Sequence, residues 1–496
     1  MKSKFCVRVV PSFQATFLIE SPMSPDPALY ARWQKIYPRY QSGFFRNLRW
    51  LSTLILVGLY AFLPFVRWDR GADLPNQAIL FDLPARKFYL FSLTIWPQEI
   101  FLLAFALIFM AIALFFMTAI AGRVFCGYFC FQTIWTDLFL QVERWVEGSR
   151  KRRMNRDVEP WTFDRGWRKG VKHTLWLLIG WYTGAIFTAY FVDAPTLLPA
   201  FWHGTAPFAA WFTAGFLTMT TYLFAGMARE QVCIFMCPYA RFQGAMYDEH
   251  SLIVAYDEGA GEPRQGNRRD RQATQHRGER VGWCIDCHEC VTVCPTGIDI
   301  RNGQQYECIT CAACVDACAS VRDRVGMPVT LIRYTSLSEL GGGKIAWFRP
   351  RILAYSGLMV AMLVGVVVYF GVRTPLEMTV IRNRQPIFIR LSDGGIQNNY
   401  TAHILNRSPK PQQYVLQVEG LDHAALSVAA ISQKTAEGWP VLTVESGEVM
   451  PLSLYLKQTT GPEPIQEQQA VRFALHAVES DGGATVYHSV FIRPKP

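Results

Sequence analysis

The cysteines are the residues whose spacing points most directly to chemistry. Eight of the thirteen cysteines form two runs with the same pattern, Cys284-x2-Cys287-x2-Cys290-x3-Cys294 and Cys308-x2-Cys311-x2-Cys314-x3-Cys318. Bacterial ferredoxins hold two [4Fe–4S] clusters with this spacing. A cubane cluster takes one thiolate per iron, and the short spacers let one turn of backbone aim three sulfurs at the same cluster. The two runs therefore predict two [4Fe–4S] clusters.

The grouping of these eight ligands follows from the same pattern, because the fourth cysteine of each run ligates the other cluster. One cluster is assigned Cys284, Cys287, Cys290 and Cys318, and the other is assigned Cys308, Cys311, Cys314 and Cys294. Two zinc sites could also use eight thiolates, but zinc does not require this spacing. The segment 284–288 also spells C-x-x-C-H, the attachment motif of c-type haem, but it lies inside a ferredoxin run.

Four further cysteines form two pairs, Cys126-x3-Cys130 and Cys233-x3-Cys237, each directly after a long apolar segment. If the preceding helices continue that far, i,i+4 spacing places both sulfurs of a pair on one face. A disulfide within each pair, ordinary buried thiols, and a metal or redox site all remain open. Thiolates select Cu(I), zinc or iron–sulfur clusters. We predict a copper ion here, as substrate or bound metal, and another cluster remains an alternative.

Long apolar segments must position these cysteines. A helix needs about 20 mostly apolar residues to cross the hydrocarbon core of a membrane. Five segments have this character, namely Trp50–Val66, Ile95–Ala121, Leu175–Val192, Pro207–Met227 and Ile352–Val372. The sequence therefore predicts five transmembrane helices, four of them within 50–227 and the fifth at 350–372. Both cysteine pairs would then lie at the same side of the membrane.

The distribution of Lys and Arg predicts the orientation, because cytoplasmic loops carry the excess of positive charge. The N-terminal segment 1–49 and the loop 122–174 are basic, whereas 193–206 contains no Lys or Arg. We expect a bacterial inner membrane with the N-terminus and the segment 228–349 in the cytoplasm. That segment includes a ferredoxin domain at about 275–325. The part 373–496 would be periplasmic. Cys6 stands alone in the first 30 residues, and no role is assigned to it.

Beyond residue 373 the hydrophobic pattern changes to the alternation of β-strands. Alternating segments occur at 386–391, 414–418, 441–444, 452–456, 472–478 and 486–492, with turn residues such as Asp393-Gly394-Gly395 between them. About seven short strands predict an immunoglobulin-like β-sandwich. The predicted fold class is thus a multi-domain integral membrane protein. It combines five transmembrane helices, an α+β ferredoxin domain of the 2[4Fe–4S] type and a C-terminal sandwich.

Composition excludes several other classes of protein. The chain has 496 residues, 51% of them hydrophobic and 18% charged, so a disordered chain or a small disulfide scaffold is excluded. The net charge of +10 could indicate a nucleic-acid partner. However, residues 373–496 carry equal numbers of acidic and basic side chains. The excess therefore lies in the membrane part, where it is a topology signal, and we expect membrane lipid and no nucleic acid as a partner.

The order of these features resembles the CcoG family, also called FixG or RdxA, the cytochrome c oxidase accessory proteins. Two segments are particularly similar, Cys237-Pro-Tyr-Ala-Arg-Phe-Gln243 and Cys294-Pro-Thr-Gly-Ile-Asp-Ile-Arg-Asn-Gly303. The resemblance covers about residues 30–496. Phe131 departs from it, because the family usually has proline after the second cysteine of the first pair.

The resemblance implies assembly of a cbb3-type cytochrome c oxidase and reduction of Cu(II) to Cu(I) for its binuclear centre. The implied partners are oxidase subunits or copper chaperones and transporters. Our hypothesis is that a cytoplasmic carrier or a quinol reduces the clusters. Electrons then reach copper at Cys126, Cys130, Cys233 and Cys237, the catalytic residues. The alternatives are a quinol-oxidising subunit that passes electrons to a periplasmic reductase and a non-catalytic assembly scaffold.

Overall fold

The structure is a computed structural model of the chain. It describes residues 35–71, 74–266, 268–408, 411–429, 431, 433–458, 467–478 and 483–494. Cys6 and the first 30 residues lie outside the described residues. A helical bundle carries the cysteine-rich segment at one end, here called the cysteine end. A β-sandwich lies at the opposite end, here called the sandwich end.

Helices dominate the first three quarters of the chain. The described residues contain α1 (Phe44–Phe62), α2 (Phe101–Ala121), α3 (Val124–Tyr128), α4 (Phe131–Glu147), α5 (Arg150–Val158), α6 (Phe163–Thr188), α7 (Ala194–His203), α8 (Phe208–Thr221), α9 (Pro238–Met246), α10 (Glu258–Gly261), α11 (Arg268–His276), α12 (Glu289–Thr292), α13 (Ala313–Val325), α14 (Leu337–Leu340) and α15 (Pro350–Val372). Two π-helical turns, Tyr222–Ala228 and Val232–Met236, connect α8 to α9.

In the part of the chain that the structure describes, the strands form four antiparallel sheets. They are β1 (Ile79–Asp82), β2 (Lys87–Leu90), β3 (Leu93–Ile95), β4 (Ile253–Tyr256), β5 (Ile332–Thr335), β6 (Leu376–Arg382), β7 (Ile389–Arg390), β8 (Ile396–Asn406), β9 (Gln412–Glu419), β10 (Ala424–Val428), β11 (Val441–Val444), β12 (Val449–Gln458), β13 (Gln468–Ala477) and β14 (Ala484–Ile492). The β1–β2–β3 sheet lies between the first two long helices, and β4 pairs with β5 in the cysteine-rich segment.

The prediction of five membrane spans is corrected to four. Four helices in the described residues are long and apolar enough to cross a membrane, namely Phe44–Phe65, Phe101–Ala121, Phe208–Ala228 and Pro350–Val372. The predicted span Leu175–Val192 falls in α6, which ends at Thr188. The first half of α6 is basic, and its second half is interrupted by Trp, Tyr, Thr and Gly. Its apolar stretch is therefore too short and too polar to count as a span by composition.

Helix α6 nevertheless belongs to the bundle, because its backbone packs tightly against α8. A Cβ atom on Gly184 would lie 2.3 Å from the carbonyl oxygen of Ala214, and one on Gly180 would lie 3.0 Å from that of Thr218. The two contacts run in opposite directions along the two helices, so α6 and α8 are antiparallel. Small residues four apart allow this close approach of helices in membranes.

The basic segment 122–174, predicted as a loop, is largely helical. Helix α4 stacks Phe139 on Trp176 of α6, with ring centroids 5.2 Å apart. Glu143 of α4 has a fully buried side chain and lies within 4 Å of four cations, Lys35, Arg153, Lys172 and Arg229. This group is here called the Glu143 cluster. It joins α4, α5, α6 and the turn before Cys233 through charge pairs that are shielded from solvent.

The cysteine-rich segment packs around the β4–β5 ribbon and is attached to the bundle. Its core contains Val254, Ile300 and Leu331 together with several of the cysteines. The carboxylate of Asp316 in α13 accepts hydrogen bonds from the backbone N–H groups of Phe45 and Arg46, at 3.2 and 2.8 Å. A carboxylate is favourable at a helix N-terminus because of the unpaired N–H groups there. The contact fixes this segment against α1.

The predicted β-sandwich is confirmed. One sheet has the order β10-β12-β8-β6, with β7 also paired to β8, and the other has the order β11-β9-β13-β14. Alternate residues face the space between the sheets, where Tyr400 of β8 meets Phe473 of β13 at 5.1 Å between ring centroids. The Tyr400 hydroxyl donates to the Val490 carbonyl at 3.0 Å. The predicted segments correspond to β7, β9 and β11–β14, whereas β6, β8 and β10 were not predicted.

A buried carboxylate joins the sandwich to the bundle. Glu99, 1% exposed, accepts hydrogen bonds at 2.8 Å from the Tyr369 hydroxyl and from the Arg373 guanidinium. Arg407 of the sandwich lies 3.6 Å from the same carboxylate. Lys87 also donates to the Gly447 carbonyl at 2.6 Å. The sandwich is therefore held at the ends of α2 and α15 that lie farthest from the cysteines.

Candidate metal centres

Two pockets in the cysteine-rich segment bring together the eight cysteines of the two runs. The first pocket is lined by Cys284, Cys287, Cys290 and Cys318. The second pocket is lined by Cys294, Cys308, Cys311 and Cys314, and Cys290 also borders it. These are the two sets grouped by the sequence, including the exchange of the fourth cysteine. The assignment of each thiol as a ligand remains a prediction.

The backbone of both runs bends in the same way around these pockets. Asp286 and His288 in the first run have φ angles of 53° and 55°, and Thr310 and Ala312 at the equivalent positions of the second run have 55° and 57°. A left-handed conformation costs a residue with a Cβ about 1–2 kcal/mol. Alternating right- and left-handed residues turn successive N–H groups toward one point, an arrangement found at iron–sulfur sites. The loops thus fit an anionic cluster better than they fit unliganded thiols.

The burial of these thiols determines what partner their ionised form needs. Cys284, Cys290 and Cys311 are each 8% exposed, whereas Cys287 is exposed. Burial raises the pKa of Cys290 and of Cys308 to about 12. A thiolate at either position therefore needs a positive partner, and the iron of a cluster is such a partner. The donor set, the loop geometry and the burial agree with [4Fe–4S] clusters.

Arg301 supports the first loop and was not singled out by the sequence. Its side chain is 3% exposed and bonds to Asp299 at 2.6 Å and to Asp286. It also lies 2.9 Å from His288 Nδ1. The hydrogen bonds that the guanidinium donates to Asp299 and Asp286 raise its pKa, despite the opposing effect of burial. Arg301 therefore ties together three acidic or imidazole side chains beside the first pocket.

The second pocket contacts the bundle directly at α3. Cys126, Ile309 and Cys311 pack together in one buried group. Gly127 makes this possible, because a Cβ there would lie 2.9 Å from the Ile309 carbonyl oxygen and 3.1 Å from Cys311 Cα. Arg123 also donates to the Tyr306 carbonyl. One of the membrane-edge cysteines is therefore adjacent to the second cysteine run.

The four membrane-edge thiols lie on short turns and not on extended transmembrane helices. Helix α2 ends at Ala121, and the π-helical turn after α8 ends at Ala228. Cys126 lies in α3, Cys233 in the next π-helical turn, and Cys130 and Cys237 immediately precede α4 and α9. The expectation of two sulfurs on one continuous helix face is therefore corrected. Left-handed or otherwise unusual backbone at Gly122 and Arg229 ends each helix first.

Polar groups surround Cys126. Its thiol donates to Gln243 Oε1 at 3.1 Å, and the Arg123 guanidinium lies 4.0 Å from the sulfur. Arg123 also donates to Gln243 Oε1 at 3.1 Å. Burial raises the pKa of Cys126 to about 11 and that of Cys233 to about 12. The sequence indicated Arg123 and Gln243 only as neighbours of the cysteine motifs, because their meeting depends on the packing of α9 against α2 and α3.

All twelve described cysteines are free thiols, so neither membrane-edge pair forms a disulfide. Within the part of the chain that the structure describes, no three His, Cys, Asp or Glu side chains are grouped closely enough to hold one metal ion. This applies to the membrane-edge thiols and to the cysteines of the two pockets alike. The assignment of copper to the four membrane-edge thiols therefore stays a prediction.

Three family models match the chain. A 4Fe-4S dicluster domain matches residues 228–337, a 4Fe-4S binding domain matches 103–153, and the immunoglobulin-like fold at the C-terminus of FixG matches 366–494. Together with four membrane-spanning helices, these matches define an integral membrane iron–sulfur protein of the electron-transfer class.

Relatives with known names narrow this class. The chain is 42% identical over 466 residues to "Nitrogen fixation protein FixG" of Rhizobium meliloti, covering 87% of this chain and 88% of the relative. It is 41% identical to "Protein RdxB" and 40% identical to "Protein RdxA" of Cereibacter sphaeroides, over 94% and 91% of this chain and 98% and 99% of theirs. The chain belongs to the FixG/RdxA family.

One solved structure, a FixG-related protein from Vibrio parahaemolyticus, is 25% identical over 24% of this chain and 98% of its own, with a TM-score of 0.21. The family resemblance stated from the sequence is confirmed by the relatives, and the fold class is confirmed apart from the number of spans. The [4Fe–4S] clusters are supported by two family models. Copper and the oxidase remain predictions.

Proposed function

We propose that this chain transfers electrons to Cu(II), reducing it to Cu(I) during assembly of a cbb3-type cytochrome c oxidase. The family resemblance suggests the copper substrate and the oxidase. One observation supports a reductase in particular, namely that Cys311 of the second pocket belongs to the same buried group as Cys126 at the membrane edge. Clusters held in the two pockets would supply one-electron storage.

The exposure of the thiols supports a direction for the electrons. Cys287 of the first pocket is exposed, which makes this edge accessible to a soluble donor. Cys290 borders both pockets, and Cys311 reaches the membrane edge. Electrons would therefore enter beside Cys287, pass the second pocket and leave at the membrane-edge thiols.

Reduction of Cu(II) at the membrane-edge thiols requires a positioned ion and no covalent step. Each Cu(II) ion accepts one electron, so no bond to carbon, oxygen or nitrogen has to form or break. Thiolate ligands favour Cu(I), so sulfur near the ion increases the driving force for its reduction. The catalytic role of delivering the electron to copper is assigned to Cys126, Cys130, Cys233 and Cys237.

The proposed orientation places the cysteine end in the cytoplasm and the sandwich in the periplasm of a bacterial inner membrane. Arg39, Arg46 and Arg152 belong to segments at the cysteine end, whereas 193–206 at the sandwich end has no Lys or Arg. The sandwich would then be available to oxidase subunits or to copper chaperones. The excess positive charge lies in the membrane part of the chain, which supports membrane lipid and not nucleic acid as the partner of that part.

The test is anaerobic Cu(II) reduction by the full-length chain in detergent, after chemical reduction and removal of the reductant. Cu(I) is measured with a chromogenic chelator. The Cys233→Ser/Cys237→Ser variant should lose most of the Cu(II) reduction. The control variant Cys6→Ser, which removes one thiol elsewhere in the chain, should keep this activity. Unchanged reduction and copper binding in the double variant would contradict the site. Full iron content without any cupric reduction would favour the scaffold alternative.

Quinol oxidation is a second candidate, and one pocket favours it. This pocket lies beside Cys233 and combines apolar and polar walls, with Ile36, Leu140, Ile309, Gln132, Thr133, Asp137 and Glu230 among its lining residues. An apolar cavity with a few polar groups suits a ring that carries two hydroxyls. Oxidation releases two electrons and two protons, and the carboxylates in the wall could accept the protons.

The two candidates are separated by measuring quinol oxidation with no copper present and an artificial electron acceptor. Leu140→Trp should fill the pocket and slow oxidation of a quinol. The same variant should leave Cu(II) reduction by the chemically reduced chain unchanged. Oxidation of quinol at the wild-type rate in this variant would reject the pocket as its site.

A further inference from the structure

The two membrane-edge cysteine pairs adopt the same backbone turn. The residue four positions before the first cysteine is Gly122 (φ 55°, ψ −128°) in one pair and Arg229 (φ 47°, ψ −117°) in the other. The second cysteines also match, with Cys130 at φ −68°, ψ 127° and Cys237 at φ −82°, ψ 111°. The N–H of each second cysteine donates to the carbonyl of the residue before the first, at 2.9 and 2.8 Å.

Arg229 adopts a positive φ angle similar to that of Gly122, although a residue with a side chain disfavours this conformation. Glycine adopts a left-handed backbone freely, but a residue with a side chain is strained there by about 1–3 kcal/mol. Arg229 is held by Glu143 at 3.1 Å and donates to the Gly226 carbonyl at 2.8 Å. Strain that is supported by surrounding contacts is characteristic of functional sites.

The two turns are also linked to each other. Gln132, two residues after Cys130, donates to the carbonyl of Arg229 at 3.2 Å and to that of Phe224 at 2.8 Å. Tyr239, two residues after Cys237, packs against Cys126. Gln243 of α9 accepts the Cys126 thiol hydrogen bond. Two equivalent half-sites therefore face one another across the bundle.

The four membrane-edge thiols resemble the pocket cysteines in their grouping. Among the described residues, no three potential ligands of either set form a group that could hold a single metal ion. The pocket cysteines nevertheless suit four-iron clusters, in which each iron takes one thiolate. Arg123, 2% exposed, places its guanidinium 4.0 Å from Cys126 Sγ. It provides a counter-charge for an anionic group between the half-sites.

We infer that Cys126, Cys130, Cys233 and Cys237 together hold a third [4Fe–4S] cluster, with one thiolate for each iron. The two matching family models divide this site, because one covers Cys126 and Cys130 and the other covers Cys233 and Cys237. The inference rests on the proposed function for its purpose. Copper would be reduced beside this cluster and not by a four-thiolate copper site.

The test is iron and acid-labile sulfide per chain in the full-length protein, purified and reconstituted anaerobically in detergent. Three cubane clusters give about twelve iron atoms. Cys126→Ser and Cys233→Ser should each lose about four irons and keep the electron paramagnetic resonance signals of the ferredoxin pair. Cys6→Ser removes a thiol outside the described residues and should keep all the iron.

About eight irons in the reconstituted wild type would overturn the inference, and this count does not depend on any variant folding. Equal iron in Cys233→Ser and the wild type would overturn it as well. The proposed function fails separately. About twelve irons per chain without cupric reduction would support the third cluster and reject the reductase function. About eight irons per chain with cupric reduction would reject the third cluster and support the reductase function.

Discussion

The two ferredoxin pockets and the membrane-edge thiols use the same side chain but are built differently. The eight thiols of the pockets lie within 284–318, and left-handed residues inside that segment bend both loops. The membrane-edge pairs come from distant parts of the chain. They meet because α2 and the helix that begins with α8 end at the same level of the bundle. The first arrangement is local, whereas the second is an assembly.

A buried charged residue supports each of the two regions. The partners of that residue are local at the ferredoxin pockets and distant in the chain at the membrane-edge thiols. Arg301 binds Asp286, which is 15 positions away. Glu143 binds Arg229, which is 86 positions away, and also Lys172 and Arg153 from two further helices. A local site should therefore tolerate damage to the bundle, and the assembled site should not. Substitutions in each region test that difference.

Cys311→Ser should abolish Cu(II) reduction, because it removes a ligand of the second pocket within the buried group that also contains Cys126. Iron analysis should show loss of about four irons from the second pocket. The first pocket should keep its own iron, seen by electron paramagnetic resonance of the reduced chain. Wild-type reduction without the second cluster would show that electrons bypass this contact.

Glu143→Gln should lower the free energy of unfolding by about 3–5 kcal/mol, because three buried cations lose their anion. Denaturation in detergent, followed by tryptophan fluorescence, measures this. The membrane-edge thiols should lose their metal, whereas the ferredoxin pockets keep theirs. Asp164→Asn, at a side chain that is 60% exposed, is the control with little effect.

The same residue predicts a dependence on pH. Although burial opposes ionisation, Arg229, Lys172 and Arg153 lower the pKa of Glu143 from 4.5 to about 2. A lowered pKa in the folded state stabilises the protein above the unfolded value, and the contribution disappears as pH falls from about 4.5 toward 2. Unfolding at successive pH values should show wild type losing about 3 kcal/mol relative to Glu143→Gln across this window. A constant difference between the two proteins would contradict the charge assignment.

Arg301→Met should cost about 2 kcal/mol, because hydrogen bonds to charged partners are lost at the first loop. Its effect on metal should be confined to the first pocket, since all its partners lie beside that loop. Arg324→Met, on the exposed side of α13, is the matched control. Loss of metal from the membrane-edge thiols in Arg301→Met would show that the two regions are not independent.

Gly127→Ala tests the contact between the regions, with the smallest expected change in stability. The added Cβ meets backbone atoms at 2.9–3.1 Å, so the second cysteine run must move away from α3 at a cost of about 1–2 kcal/mol. Iron content should stay at the wild-type value while Cu(II) reduction slows. Gly170→Ala, where nothing lies within 4 Å, should leave both unchanged.

Local patterns were predicted well because the spacing itself carries the structural information. The grouping of Cys318 with the first run and Cys294 with the second matches the cysteines around the two pockets. The alternation in 414–418 and 441–444 likewise marked β9 and β11. The membrane count failed at α6, because its apolar stretch follows a basic first half and is interrupted by Trp, Tyr, Thr and Gly.

The sequence by itself determined the spacing of the cysteines, the presence of long apolar helices and the change to strands beyond residue 373. These features depend on residues close together in the chain, where bond geometry and periodicity decide the outcome. Only the tertiary structure decided that Cys126 and Cys311 share one buried group, that Gln243 reaches Cys126, and that Glu143 binds Arg229. Such contacts depend on where separate helices end and how closely they pack, and neither is encoded in any single segment.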